Sequence, residues 1–357
     1  MRKTLTGVFV IACAALAAAT VSVSAQRGGG GGGGRGAAAD APAPSGPNYP
    51  AWAYAITPPG AAAAAEPVDT SVHHIAGTDR GFTVAQIADI RGPADWFPED
   101  HPQMPPIVAV GRQPQVRSCS YCHYPNGKGR PSNGGVAGLP VDYILNTLND
   151  FKNGVRKPGD ARKVNVNQMI TFAKNLTPEE ARSAAEYFSS TPWTQWVRVV
   201  ETKMVPKTDA EGSIFFKAKE GGMEPIGMRV IETPENDEQT EPLRNPRSGF
   251  IAYVPVGAIK KGEELVTKGG NGKTEACTLC HGADLRGLGP VPGIAGRSPS
   301  YLARQLYDIQ VGARHGEWAE LMKPVVAKLT NEDMVDITAY VSGRPMPQAP
   351  GSKSQTN

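Results

Sequence analysis

Two five-residue runs in this chain combine residue types that could do chemistry: Cys119-Ser120-Tyr121-Cys122-His123 and Cys277-Thr278-Leu279-Cys280-His281. Each spaces two thiols along roughly one helical turn and follows them with an imidazole. Both sulfurs can then bond the vinyl groups of one porphyrin, while the histidine is held beneath the iron as an axial ligand. With five Cys and six His in 357 residues, chance supplies about one such run in a thousand chains. Two in one chain are not accidental. A redox-active dithiol gives no reason for His to follow twice. A zinc site drawing Cys₂His from each run would leave the matched methionines described next unexplained. With Cys13 set aside in an amino-terminal leader, the four remaining cysteines of an exported chain would ordinarily suggest disulfides, and this spacing argues against them.

The runs belong to a duplicated unit. Counting from His123 and His281, Gly138 and Gly296 both fall 15 residues on, and Tyr143 and Tyr301 fall 20 on. Leu148 and Leu306 match at 25, Asp150 and Asp308 at 27, Gly154 and Gly312 at 31, Arg156 and Arg314 at 33. After a gap five residues longer in the first copy, Met169 and Met322 come into step, followed by Leu at +7, Thr at +8 and Tyr at +18. Two copies mean duplication rather than a solenoid. A thioether is a soft, neutral ligand that favours ferrous iron and closes the sixth coordination position. Met169 and Met322 are therefore the candidates for the second axial ligand, whereas Met204, Met223 and Met334 have no counterpart. His73, His74, His101 and His315 could serve as alternative ligands but have no repeat partner, and read as surface residues.

The elements that must position these residues read as helices. Val141, Ile144, Leu145, Leu148 and Phe151 form an apolar stripe at helical spacing. Ser298-Pro299 opens the equivalent helix in the second unit, before Tyr301, Leu302, Leu306 and Ile309. Thr177-Pro178-Glu179-Glu180 has the pattern of a capping box, burying Ala181, Ala184, Ala185 and Phe188, and Thr330-Asn331-Glu332-Asp333 opens its counterpart. The fold class expected is mainly α: two homologous cytochrome c-type helical haem domains joined by an irregular or short-strand connector and preceded by a disordered or extended arm.

The remaining segments follow from composition. Residues 1–25 have the basic start, 16-residue apolar run and Val23-Ser24-Ala25 close of a cleaved signal peptide, with a retained membrane anchor or lipidation at Cys13 as alternatives. Residues 26–65 read as a low-complexity linker unable to bury a core, and 66–110 as an extended, proline-stiffened arm. Haem domain 1 is expected at 111–192, the connector at 193–258, haem domain 2 at 259–345 and a tail at 346–357. The connector is expected to hold strands near 196–200 and 228–231, and no third haem. The formal charge is +3, and losing Arg2 and Lys3 leaves +1. That excludes a polybasic surface for nucleic acid.

At these residues the chain resembles the class I cytochrome c family, in the tandem di-haem form of the bacterial periplasm. The resemblance rests on Cys119-x-x-Cys122-His123 with Gly138-Leu139-Pro140-Val141-Asp142-Tyr143 and Met169. In the second copy it rests on Cys277-x-x-Cys280-His281 with Ala295-Gly296-Arg297-Ser298-Pro299-Ser300-Tyr301 and Met322-Lys323-Pro324. It implies two haem c groups, attached through Cys119, Cys122, Cys277 and Cys280, with His123/Met169 and His281/Met322 on the irons. It also implies no catalytic residue, and electron shuttling between redox proteins: dehydrogenases or quinol-oxidising complexes on one side, terminal oxidases on the other. In such families a proline carbonyl commonly bonds the ligand imidazole, which points to Pro131 in the first unit and Pro290 or Pro292 in the second. Two other readings compete with the carrier. One is a di-haem peroxidase, for which Leu243-Arg244-Asn245 is a faint match on the wrong side of the second motif. The other is a cytochrome subunit docked to a dehydrogenase or oxidase, touching membrane only peripherally or through that partner.

Overall fold

The computed structural model describes residues 41–57 and 69–348. The expected signal peptide, the start and end of the linker and most of the tail lie outside the described residues.

Each repeat is a small helical unit. The first holds α1 (Cys119–His123), α2 (Val141–Lys152), α3 (Val164–Asn175) and α4 (Pro178–Ser190). The second holds α5 (Ala258–Lys268), α6 (Thr278–His281), α7 (Pro299–Gln310) and α8 (Asn331–Ser342). Both expected capping boxes close. Thr177 Oγ1 accepts from Glu180 N at 3.2 Å while Glu180 takes the Thr177 N–H at 2.9 Å, and Asp333 does the same for Thr330. The α2 stripe turns Ile144, Leu145 and Leu148 toward an apolar core with Ala184, Ala185 and Phe188 of α4. In the second unit α5 lies across α8 so closely that a Cβ on Gly262 would sit 1.9 Å from the Asp336 carbonyl oxygen. Glycine there is a packing requirement. The first unit has only the four-residue helix Pro106–Ala109 at this place, with Val108 matching Val266 fifteen residues before the ligand histidine.

The connector is more ordered than short straps. Strands β1 (Val197–Thr202), β2 (Ile231–Pro234) and β3 (Phe250–Pro255) form one sheet in the order β1-β3-β2. β1 runs parallel to β3, with Val197 opposite Phe250, and β2 runs antiparallel, with Thr233 opposite Ile251. The central strand, Phe250-Ile251-Ala252-Tyr253-Val254, is a near-continuous apolar run, which hid it from a search for alternation. Met204–Pro206 pairs with Met223–Pro225, and Thr208–Glu211 with Ile214–Lys217. The described residues therefore combine helical units with several small sheets.

Two expectations about the amino-terminal region change. Residues 49–56, placed by composition in a linker without a core, are packed against the second unit and reach the first. Trp52 Nε1 donates to Asn331 Oδ1 at 2.8 Å, Tyr54 OH to Asp308 Oδ1 at 3.2 Å, and Tyr49 OH to Asp160 Oδ2 at 2.5 Å. Three aromatics in six residues supply the apolar area that the surrounding Ala and Gly lack. The arm is not simply extended either. Val72–His74 and Gly81–Thr83 make a short hairpin, and Ile75, Ile87, Trp96 and Phe97 form a cluster with Leu243 of the connector. Arg247 lies over the Phe97 ring at 3.6 Å and donates to Asp100 Oδ2 at 2.8 Å. Histidines 73, 74 and 101 bond Asp69, Arg80 and Asp95 within the arm.

Candidate haem sites

Both Cys-x-x-Cys-His runs form a single turn of helix, and both end in a residue with positive φ. It is Gly282 (φ 85°) in the second unit and, less comfortably, Tyr124 (φ 62°) in the first. This reversal brings the loop back beneath the histidine ring. Gly129 N bonds the His123 carbonyl and Gly287 N the His281 carbonyl, each at 2.8 Å. The ring itself is then fixed. His123 Nδ1 lies 2.8 Å from the Gly134 carbonyl oxygen and His281 Nδ1 2.8 Å from that of Pro292, eleven residues on in both units. A carbonyl only accepts, so Nδ1 carries the proton and Nε2 keeps its lone pair for a metal. Burial depresses both imidazoles below the usual histidine range and keeps them neutral. The proline expectation holds at Pro292 and fails at Pro131, whose carbonyl accepts instead from the Arg304 guanidinium.

Burial also governs the thiols, pushing Cys119 up to about 12 and Cys277 up to about 11, and raising Cys122. None of the four is in a disulfide. In the first unit, Cys119, Cys122 and His123 line an apolar cleft with Leu139, Ile144, Leu148, Phe172 and Phe188. Its unfilled space, open mouth included, is ≈ 1480 Å³. Met169, from the middle of α3, lines the same cleft. In the second unit, Cys277 and Met322 pack against one apolar cluster that includes Leu285, Ala295 and Tyr340. Met322 is presented from a turn between the short helices Glu317–Glu320 and Lys323–Val326, not from a long helix.

The first cleft also carries polar atoms with nothing to bond. Lys163 Nζ, Ser132 Oγ and Arg117 Nη1 are buried on its lining without a partner among the described residues. Buried cations without counter-charge are disfavoured, and a porphyrin brings two carboxylates. The residues fit a haem: two thiols, an oriented imidazole, a thioether on the same lining, apolar walls and orphaned donors.

The two units meet about a local two-fold relation between equivalent residues. Arg156 and Arg314 form an antiparallel bridge, with Lys157 N donating to Ala313 O at 2.8 Å and His315 N to Val155 O at 2.9 Å. Arg156 Nη2 donates to Tyr301 OH and Arg314 Nη2 to Tyr143 OH, both at 3.2 Å. Gln305 Oε1 accepts from both guanidiniums. Burial would raise the Tyr143 phenol, but Arg314 and Arg156 outweigh it and bring it down to about 8. Arg244, in the peroxidase-like stretch, donates to the Tyr121 carbonyl and lies over the Tyr121 and Tyr124 rings. It clamps α1.

The Cytochrome c family profile matches residues 108–192. Cytochrome c-554(548) of Halomonas halodenitrificans is 40% identical over 76 residues, which is 21% of this chain and 92% of that protein. The chain belongs to the cytochrome c family. A cytochrome c4 of Azotobacter vinelandii is 24% identical over 242 residues, spanning 66% of this chain and 88% of the relative. The structure of reduced cytochrome c4 from Pseudomonas stutzeri superposes with a TM-score of 0.42 at 24% identity, covering 63% of this chain and 92% of that one. This cytochrome is a di-haem c-type electron-transfer protein, with haem c as cofactor. Sequence reasoning missed Gly134, the orphaned Lys163 and the Tyr49–Tyr54 strap. The shared +11 offset from each histidine was available for the first, but no periodic signal existed for the other two.

Proposed function

We propose that Cys119, Cys122, Cys277 and Cys280 hold the two haems through thioether bonds, and that His123/Met169 and His281/Met322 ligate the irons. What carries this reading is the matched anchoring of both imidazoles, Nδ1 to a carbonyl eleven residues on, with a methionine lining the same cleft as the first. Each bound haem supplies one-electron chemistry at its iron. The chain does the rest. The Gly134 and Pro292 carbonyls fix tautomer and ring orientation, Leu139, Ile144 and Phe172 keep water from the first cleft, and two axial side chains per site leave no position for substrate. Electrons would enter through the second unit, where Cys280 is exposed and Leu279 and Leu321 are 68% and 76% exposed. They would leave through the first. Donor and acceptor are redox proteins of the dehydrogenase, quinol-oxidising or terminal-oxidase classes, met in the periplasm to which residues 1–25 would direct the chain. Among the described residues no helix is long and apolar enough to cross a membrane.

The test is a pyridine haemochrome assay with a potentiometric titration. Two covalent haems per chain, low-spin spectra in both oxidation states and two one-electron steps are expected. High-spin ferric iron at neutral pH with rapid peroxide turnover would replace the carrier by a peroxidase.

A further inference from the structure

We propose that Lys163 binds a carboxylate of the first haem and thereby sets the first iron at a higher potential than the second; this rests on the ligand assignment above. Lys163 is the residue before α3, 3% exposed, and its Nζ has no hydrogen-bond partner among the described residues. It lines the first cleft together with Arg156, Arg304, Tyr301 and Ser132, whose Oγ is also unpartnered. The charged groups near it give no relief. Arg304 and Arg130 are cations, and burial with their charges drives the ammonium far below the ordinary lysine range. The neighbouring anions are engaged elsewhere. Asp160 accepts from Arg162 at 2.7 Å and from Tyr49 at 2.5 Å, and Asp308 from Gly159 N at 2.8 Å and from Tyr54 at 3.2 Å.

A buried ammonium facing an apolar cleft, with every nearby carboxylate occupied, needs an anion to arrive with the ligand. The porphyrin carboxylates are that anion. Once paired, the lysine offsets negative charge beside the iron and disfavours the ferric state, in which the metal carries one more positive charge. The second unit has no lysine at the matching positions. Counting six residues back from Met322, as Lys163 stands from Met169, gives Gly316, and counting forty on from His281 gives Leu321. The matched positions therefore carry a buried cation in the first unit and none in the second, and this difference orders the irons for transfer from the second to the first.

Spectroelectrochemical titration of the holoprotein tests this with Lys163→Met and Lys163→Arg, in wild type and in a Met322→His background. The second imidazole lowers the second haem's potential, so the upper wave there reports the first haem alone. Lys163→Met should keep both haems and shift the oxidised-to-reduced ratio of the first about tenfold toward ferric, ~59 mV for one electron. Lys163→Arg should recover most of that shift, and Lys163→Gln serves where Met impairs folding. With both haems bound, an unchanged first wave, or a shift in the second haem alone, would overturn the proposal and leave the ligand assignment standing. A wild-type chain purified without haem would overturn the assignment, and the proposal with it.

Discussion

At the residue scale, each copy pairs two thiols with an imidazole whose Nδ1 proton is held by a backbone carbonyl 2.8 Å away. The Cys-x-x-Cys-His spacing is a covalent requirement, so it was legible without a fold, and the matched methionines followed from the repeat. The groups that tune the site were not legible, because a carbonyl such as that of Gly134 or Pro292 belongs to every residue and only the folded loop selects it. Buried carboxylates are similarly silent in sequence. Asp336 of α8 is 3% exposed with one oxygen unpaired, and burial, helped by Glu332 and Asp333, pushes it up to about 6. A carboxyl raised in the folded state stabilises the fold below its unfolded value near 4, and that contribution is lost as pH rises through 6. Asp336→Asn should therefore melt several degrees higher than wild type at pH 8 and equal to it below pH 4. Thermal melts across that range check the sign, and equal melting at pH 8 would contradict it.

At the element scale, helices with a stripe and a capping box were legible because both are local. α2, α4, α7 and α8 all lie where such signals placed them, and Thr177 and Thr330 cap as expected. β3 was not, since a buried central strand shows no alternation, and α5 begins and ends on glycines, Gly257 and Gly269, rather than on a side-chain cap. The methionines occupy matched offsets yet different elements, Met169 within α3 and Met322 between two short helices, so equal spacing did not guarantee equal presentation. The close approach of α5 to α8 gives a sharp prediction. Gly262→Ala forces a methyl against backbone 1.9 Å away and should destabilise the protein by about 2 kcal/mol or more. Denaturant unfolding of the holoprotein measures this; a loss under 0.5 kcal/mol, the size of a neutral surface change, would mean that the helices part freely.

For the whole molecule, duplication was readable, but not that the copies meet through their own equivalent residues. Arg156 reaches Tyr301 as Arg314 reaches Tyr143, and Arg297 of the second unit donates to the Gly135 and Ala137 carbonyls of the first, at 2.9 and 3.1 Å. No single-copy pattern encodes a contact between copies. The strap at residues 49–56 was masked by the Ala- and Gly-rich composition around it. If this interface fixes the separation of the irons, Arg156→Ala with Arg314→Ala should slow electron exchange between the haems at least tenfold while each keeps its low-spin spectrum. Flash-initiated reduction followed at both haems measures that rate, and an unchanged rate would remove the interface from the transfer path. The central claim, iron held between imidazole and thioether in each copy, is tested most directly by the near-infrared sulfur-to-iron absorption of the ferric protein. Met169→Ala and Met322→Ala should each remove about half of the band and together abolish it, because each site contributes one sulfur–iron bond. An unchanged band in either single variant, or a colourless wild-type protein, would contradict the account.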